Sequence, residues 1–502
     1  MKAYLARIGS SVLTLVLGIG LFSQDLQGQD VNLYSIPNQS ASFIRMPSRE
    51  ATTDVDAVYF NPAGLVELDL GFHLSVNNQL LRQKSIITSD YPRLNDVPTV
   101  YEGVAKSYVF PSIYGAIVKD RFVYSFGILM VGGAGGAAYD NLPIADGGVA
   151  DIIPSLRSQV LNVIDQHINS DFGVDPGYAQ LDGYRYNFSS EGYGFSPGLQ
   201  LGISWEASET FAFSFGGRFV QQYVVAESTL ENIEIQQTGN EQWYTPAEYL
   251  TYVASDDRIR PLDNAIAGAL SDGFTPGNPD GLLPIIEVDI SQYGFGITPI
   301  LSVHIKPSEV LNIAVKYEHN TAISLKTTVN DGKDGVGTFT DGEEVKSDLP
   351  GFLSAGIRYR PTTRIRANFG FRYMFDKSTD WAGREKEILG NYYELAIAGE
   401  YQLSEKLALS TGYTYNQPNV TGDYQNEVDY RLSGHTGSIG GAYNFTEKTK
   451  LNLGVMYTLF NSEEHPYTQV TPESAEIAYS LGYEKNALVV GIGMDFKFGT
   501  SD

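Results

Sequence analysis

Apolar and polar residues alternate along most of this chain. In Leu311–Glu318 the odd positions are apolar and the even ones small or charged. Over 365–375, Ile365, Ala367, Phe369, Phe371, Tyr373 and Phe375 oppose Arg366, Asn368, Gly370, Arg372 and Met374. Phe211, Phe213, Phe215 and Phe219 share a face, with Ser214, Gly216 and Arg218 on the other. Successive side chains of a strand point to opposite faces, so a period of two predicts strands. Fourteen are predicted, near 72–86, 106–118, 122–131, 191–205, 211–227, 293–305, 311–328, 351–360, 365–375, 392–401, 407–415, 435–444, 451–460 and 487–498.

Alternation alone fits a soluble sandwich as well as a membrane barrel. The joints separate the two. Lys119-Asp120-Arg121, Lys306-Pro307-Ser308-Glu309, Pro361-Thr362-Thr363-Arg364 and Leu403-Ser404-Glu405-Lys406 are short and polar, whereas the connections between these hairpins are long. Short turns at one end, long loops at the other, strands of about ten residues and an even count describe a bacterial outer-membrane barrel. The expected fold is all-β: a 14-stranded antiparallel transmembrane β-barrel in the bacterial outer membrane, in contact with its lipid and lipopolysaccharide. Tyr359, Tyr373, Tyr401, Tyr413, Tyr415, Tyr443 and Tyr457, near strand ends, would form the interface girdle. Two outer loops are large, 132–190 and 228–292, and 151–168, 246–253 and 262–270 carry helical spacing within them. The Gly-rich run that opens the first lacks the Lys-Ser/Thr of a phosphate loop.

The stretch 53–65 interrupts the pattern just before the first strand. Pro62 removes a backbone donor and Gly64 loosens the chain, so it is a poor strand. Val58, Tyr59, Phe60 and Leu65 are too apolar for a surface linker. A compact, partly buried element leading into a barrel reads as a plug, with Asn61 capping a buried turn. Ahead of it, Lys2 and Arg7 precede the apolar run 8–22, as in a signal peptide. The expected organisation is a signal peptide over 1–29, a hatch over 30–70 and a barrel over 71–502.

Composition narrows the chemistry. A formal net charge of −25 argues against a nucleic-acid partner. The absence of cysteine excludes disulfides, thiolate metal sites and a cysteine nucleophile. The six histidines are scattered, and the acidic loop carrying Asp331, Asp334, Asp341 and Glu344 lacks the spacing of a calcium loop. No catalytic site, metal or cofactor is expected, and the protein is read as a monomeric non-enzyme.

Two runs resemble the FadL/TodX family of outer-membrane transporters for hydrophobic compounds. Asp54-Val55-Asp56-Ala57-Val58-Tyr59-Phe60-Asn61-Pro62-Ala63-Gly64-Leu65 is similar to the family's hatch motif. Leu349-Pro350-Gly351-Phe352-Leu353-Ser354-Ala355-Gly356-Ile357-Arg358-Tyr359-Arg360-Pro361 is similar to a recurrent strand and turn. Ahead of the motif the family often carries glycines, where this chain has Ile44-Arg45-Met46-Pro47-Ser48-Arg49-Glu50-Ala51. The resemblance implies transport of long-chain fatty acids or other hydrophobic small molecules by hatch-gated passive diffusion with lateral exit. It also implies gating by hatch residues, among them Ile36, Phe43, Phe60, Asn61, Pro62, Ala63 and Gly64. Arg218, Lys316, Arg358, Arg366 and Arg372 face the lumen and would hold the head group of a fatty-acid-like ligand. An alternative pairs them with lumen acids such as Glu318, Glu394 and Glu400 to stabilise the barrel. A rival for the whole chain is a family-like barrel that docks or assembles a protein-secretion system. An open porin is disfavoured by the plug.

Overall fold

The computed structural model describes residues 40–262, 286–335, 337–427, 429–471 and 475–499. The signal-peptide range, Ile36 and most of the helix expected over 262–270 lie outside them. Fourteen antiparallel strands close into a barrel. They are β1 (Gly71–Ser89), β2 (Thr99–Lys119), β3 (Phe122–Tyr139), β4 (Leu181–Glu206), β5 (Phe211–Gln237) and β6 (Ile286–Ser308). Next come β7 (Leu311–Glu318, resumed as Ser324–Asp334), β8 (Glu344–Lys346, resumed as Phe352–Thr362) and β9 (Ile365–Met374). The last are β10 (Ile388–Gln402), β11 (Leu407–Val420), β12 (Gly434–Thr446), β13 (Thr449–Phe460, resumed as Glu463–Val470) and β14 (Glu476–Phe498). β14 pairs with β1 from Phe72↔Phe498 to Ser89↔Leu481, so neither edge is left open. Two short helices precede β1, α1 (Ala41–Arg45) and α2 (Ala57–Phe60).

The two faces sort as their chemistry requires. Phe215 is 69% exposed and Ile297 66%, with Leu201, Phe369, Ile397, Ile439 and Leu453 in the same outward band. Arg218, Lys316, Asn368 and Asn452 point inward and are buried. Exposed apolar outside and buried polar inside inverts a soluble fold and is the arrangement of a barrel solvated by lipid. No described helix is long and apolar enough to cross a membrane, so the crossing is made by strands, which satisfy their backbone groups laterally.

The strands are longer than the sequence pattern indicated. β4 and β5 continue far beyond the bilayer, so 181–190 and 228–237 of the expected loop ranges 132–190 and 228–292 are strand. These extensions still alternate, Tyr184, Tyr186 and Phe188 against Arg185, Asn187 and Ser189, and their apolar face packs against the outer helices rather than lipid. Above the mouth lie α3 (Pro143–Ala150), α4 (Ile152–Leu156), α5 (Asn162–Phe172) and α6 (Pro246–Ala254). Tyrosines fix them: Asp146 accepts from Tyr101 (2.7 Å) and Tyr184 (2.8 Å), and Asp151 from Tyr91 (2.6 Å).

The wall has two discontinuities. β2 and β3 pair at Lys106↔Gly136 and again only at Ile113↔Ile128, which leaves 107–112 and 129–135 unpaired with each other. Gly133 bends β3 there at φ 83°, and a Cβ on it would lie 2.1 Å from the Gly194 carbonyl oxygen. The second break corrects the expectation of one strand over 311–328. After Glu318 the chain folds inward across Gly294 and Gly296 of β6 and rejoins the wall at Ser324. The Asp348 carboxylate holds this detour by accepting from the Ile323 amide (3.0 Å) and Asn320 Nδ2 (2.9 Å).

Candidate functional site: the hatch and the lumen above it

The hatch lies inside the barrel and touches opposite walls. Its first helix, α1, is capped by Ser40, whose Oγ accepts from the Phe43 amide (3.1 Å). The chain then turns and forms α2, followed by the 3-10 turn Pro62–Glu67. Proline opens that turn because its missing N–H would have no partner there.

What lets this backbone lie against the wall is a belt of glycines. A Cβ at Gly356 would fall 2.5 Å from Glu50 Cβ, and one at Gly370 2.0 Å from Glu50 Oε2. At Gly412 it would meet Pro47 (2.4 Å), at Gly440 Arg45 Cβ (2.4 Å), at Gly454 the Arg45 amide nitrogen (2.5 Å) and at Gly491 Ile44 (2.9 Å). Six glycines on six strands therefore trace the path of residues 44–50. The stretch 44–51, which has no glycine of its own, is accommodated by glycines in the wall.

Buried charges bind the hatch together and to the wall. Arg49 reaches Asp56 through Nη2 (2.6 Å) and Nε (3.1 Å), and Asp54 through Nη2 (2.7 Å). Ser40 Oγ also donates to Asp56, at 2.5 Å. Arg45 pairs with Glu400, which also binds Arg366 (2.8 Å). Arg366 (3.3 Å) and Lys450 (3.6 Å) converge on Asp54. On the other side of the lumen, Gln200 Nε2 donates to the Val58 carbonyl (2.5 Å), Ser204 Oγ to that of Pro62 (2.7 Å), and the Ala63 amide to Ser302 Oγ (2.8 Å). Asn61 joins α2 to the 3-10 turn and caps both through its backbone, while its side chain makes no capping bond. Its Nδ2 donates to the Thr52 carbonyl (2.9 Å) and faces His304 Nδ1 (3.0 Å), and a Cβ on Gly64 would sit 2.2 Å from that nitrogen. The spacing of Asn61 and Gly64 thus closes one tight turn against the wall.

The structure brings three of the five lumen cations to a single pocket directly above the hatch. Arg218, Lys316 and Arg372 line it with Tyr59, Phe60 and Phe352. Arg218 makes a two-pronged pair with Glu318 (2.7 and 2.8 Å). Lys316 Nζ binds Glu318 (2.7 Å) and donates to the Tyr59 carbonyl (2.6 Å). Arg372 binds hatch Glu50 through Nε and Nη2, both at 2.8 Å, and Glu394 at 3.3 Å. Its guanidinium lies over Phe43 (5.1 Å) and Phe60 (5.6 Å), whose rings stack at 5.5 Å. Arg358 and Arg366 lie apart, lower in the barrel: Arg358 donates to Thr53 Oγ1 and Arg366 to Asp54. Every one of the five cations therefore engages a protein group, and Glu318, Glu394 and Glu400 are all among the partners. The sequence did not single out Arg45, Arg49 and Glu50. Their signal was charge in a segment that must be buried.

The pocket's free volume is about 50 Å³, room for a few waters. Small-molecule sites are typically ~300–1,000 Å³. With the hatch seated, this pocket has no room for an alkyl chain. Val131, beside the β2–β3 gap, and Thr321 and Leu349, from the second break, also line it.

No protein-family model matches this sequence, and no curated protein matches it either. Solved structures do. A FadL homologue from Pseudomonas aeruginosa is similar over 92% of this chain and 99% of its own, with a TM-score of 0.57 at 12% identity. The toluene transporter TodX of Pseudomonas putida is similar over 93% of this chain and 100% of its own, with a TM-score of 0.51 at 13% identity. The barrel has the FadL/TodX fold. In this FadL-type barrel, the hatch, the lumen pocket and the β2–β3 gap are parts of one architecture that spans nearly the whole chain. At such low identity the likeness concerns fold, and the side chains above are this chain's own.

Proposed function

We propose that this protein carries hydrophobic small molecules with a polar head across the outer membrane by passive diffusion, gated by the hatch. The observation that carries the reading is the pocket between Tyr59, Phe60, Phe352 and three cations, closed below by the hatch and bordered by an interrupted wall. The solved structures of the same fold include a transporter of toluene. A ligand would enter through the helical mouth and place its head group near Arg218, Lys316 and Arg372. It would leave sideways where 107–112 and 129–135 lack pairing. An unpaired stretch of backbone at membrane depth is costly to a barrel unless it lines a passage or is covered from within. Phe43, Phe60, Asn61, Pro62, Ala63 and Gly64 would set the gate, since they fill the lumen beneath the pocket. Arg358 and Arg366 would hold its lower half.

The test is mass spectrometry of small molecules retained by the purified protein, combined with uptake into proteoliposomes. Recovery of amphiphiles and saturable uptake are expected. A purified barrel that retains none and accelerates no uptake refutes transport and favours a docking role.

A further inference from the structure

The cations that would receive a ligand's head group are the same ones that hold the hatch. Arg372 grips Glu50 with two nitrogens at 2.8 Å, and Lys316 donates to the Tyr59 carbonyl at 2.6 Å. Glu50 is 3% exposed and projects from the hatch into the pocket that its carboxylate helps to line. The place is built for it. Gly356 and Gly370 leave the room that its side chain fills, and Ser48 Oγ donates to it at 3.4 Å. A carboxylate held by a buried guanidinium that lies over two apolar rings is what an aliphatic acid would present at this point.

We propose that Glu50 is an internal stand-in for the carboxylate of the ligand, and that ligand and hatch compete for Arg372. This rests on the transport reading and makes it narrower: the favoured cargo is an apolar chain ending in a carboxylate. When such an anion pairs with Arg372 and Lys316, Glu50 loses its partner. A buried carboxylate without a counter-charge is strongly disfavoured, so the hatch segment 44–60 leaves the lumen. No bond is made or broken. A neutral molecule of equal length offers Arg372 no charge and cannot displace Glu50, so it leaves the hatch seated. Glu50 is tethered and hence locally concentrated, so the ligand must add apolar burial to win. Potency should therefore rise with chain length, by about fourfold per methylene.

Ala51 reports the exchange, being 3% exposed with its amide against Gly356. In the full-length protein carrying Ala51→Cys, labelling by a membrane-impermeant maleimide measures hatch departure. Decanoate is expected to speed labelling at least tenfold and decanol to leave it unchanged. Adding Glu50→Gln should make labelling fast without ligand and insensitive to decanoate, with heat-modifiable migration confirming a folded barrel. If that variant does not fold, the decanoate and decanol arms decide alone. Equal acceleration by both compounds overturns the exchange while leaving transport intact. Acceleration by neither, with decanoate still retained by the protein, overturns the exchange as well. Retention of neither compound defeats the transport reading itself.

Discussion

Arg49→Met tests whether the hatch is a separately held unit. Arg49 is fully buried, and its carboxylate partners, Asp54 and Asp56, both belong to the hatch. Removing the guanidinium leaves Asp56, itself 3% exposed, with Ser40 Oγ as its remaining hydrogen-bond donor among the described residues. Breaking a buried ion pair by deleting one partner costs about 3–5 kcal/mol. The lower end applies, because the Asp54 side chain is 24% exposed and keeps Arg366 and Lys450. About 3 kcal/mol raises the open fraction on the order of a hundredfold. Among the described residues Arg49 makes no hydrogen bond or ion pair to a strand, so the barrel should still migrate as folded on a detergent gel. The assay is single-channel conductance in planar bilayers: brief openings, rare in the unmodified protein, should become frequent. An unchanged closed trace from a folded barrel would show that the Arg49 cluster does not retain the hatch. A variant that fails to fold would show that hatch and wall are one cooperative unit.

Further consequences concern the wall and the lid. Gly370→Leu drives a side chain into the space of the Glu50 carboxylate, since even its Cβ would fall 2.0 Å from Oε2; overpacking costs about 1–3 kcal/mol, and conductance should rise as the hatch is displaced. Asp146→Ala removes the acceptor of two tyrosine hydroxyls at 2.7 and 2.8 Å. Hydrogen bonds to a charged group contribute about 1.5–3 kcal/mol each, so amide exchange across α3 should accelerate while exchange in the membrane strands does not. Outside the membrane, hydrogen bonding to Arg258 holds the Asp256 carboxyl well below the usual carboxylate range. A depressed folded value means the stabilisation is complete above the unfolded value and fades as pH falls toward the folded one. Proteolysis of the outer segment 246–262 should thus be constant from pH 8 to 5 and increase only below about 4.

The barrel was legible because each membrane-crossing strand has one face in lipid and one in a polar lumen, and that contrast writes a period of two. In the upper parts of β4 and β5 the contrast persists, with Tyr184, Tyr186, Phe188 and Ile235 packed under the outer helices, but a strand that only has to cross the bilayer ends after about ten residues, and that expectation assigned these parts to loops. The inward detour after Glu318 was hidden for a different reason. Its cause lies in Gly294 and Gly296, which belong to another strand and become neighbours only through register. The glycine belt is the same case: Gly356, Gly370, Gly412, Gly440, Gly454 and Gly491 look unrelated until the hatch lies across them. The inward direction of Arg218, Lys316, Arg358, Arg366 and Arg372 could be read from alternation. Pairing with the wall acids Glu318, Glu394 and Glu400 could be read too; the partners in the hatch could not, because Glu50, Thr53, Asp54 and Tyr59 arrive from a segment far away in the chain.

The most direct measurement pins the hatch reversibly. A Cβ on Gly493 would lie 3.0 Å from Ala41 Cβ and 2.0 Å from Asn77 Oδ1, against the ~3.5–4.5 Å spanned by a disulfide, so Ala41→Cys with Gly493→Cys can bridge once Asn77→Ala clears that space. Uptake of a long-chain fatty acid into proteoliposomes should stop on oxidation and return on reduction. Equal uptake in the oxidised and reduced protein would contradict a hatch that must leave the lumen for cargo to pass.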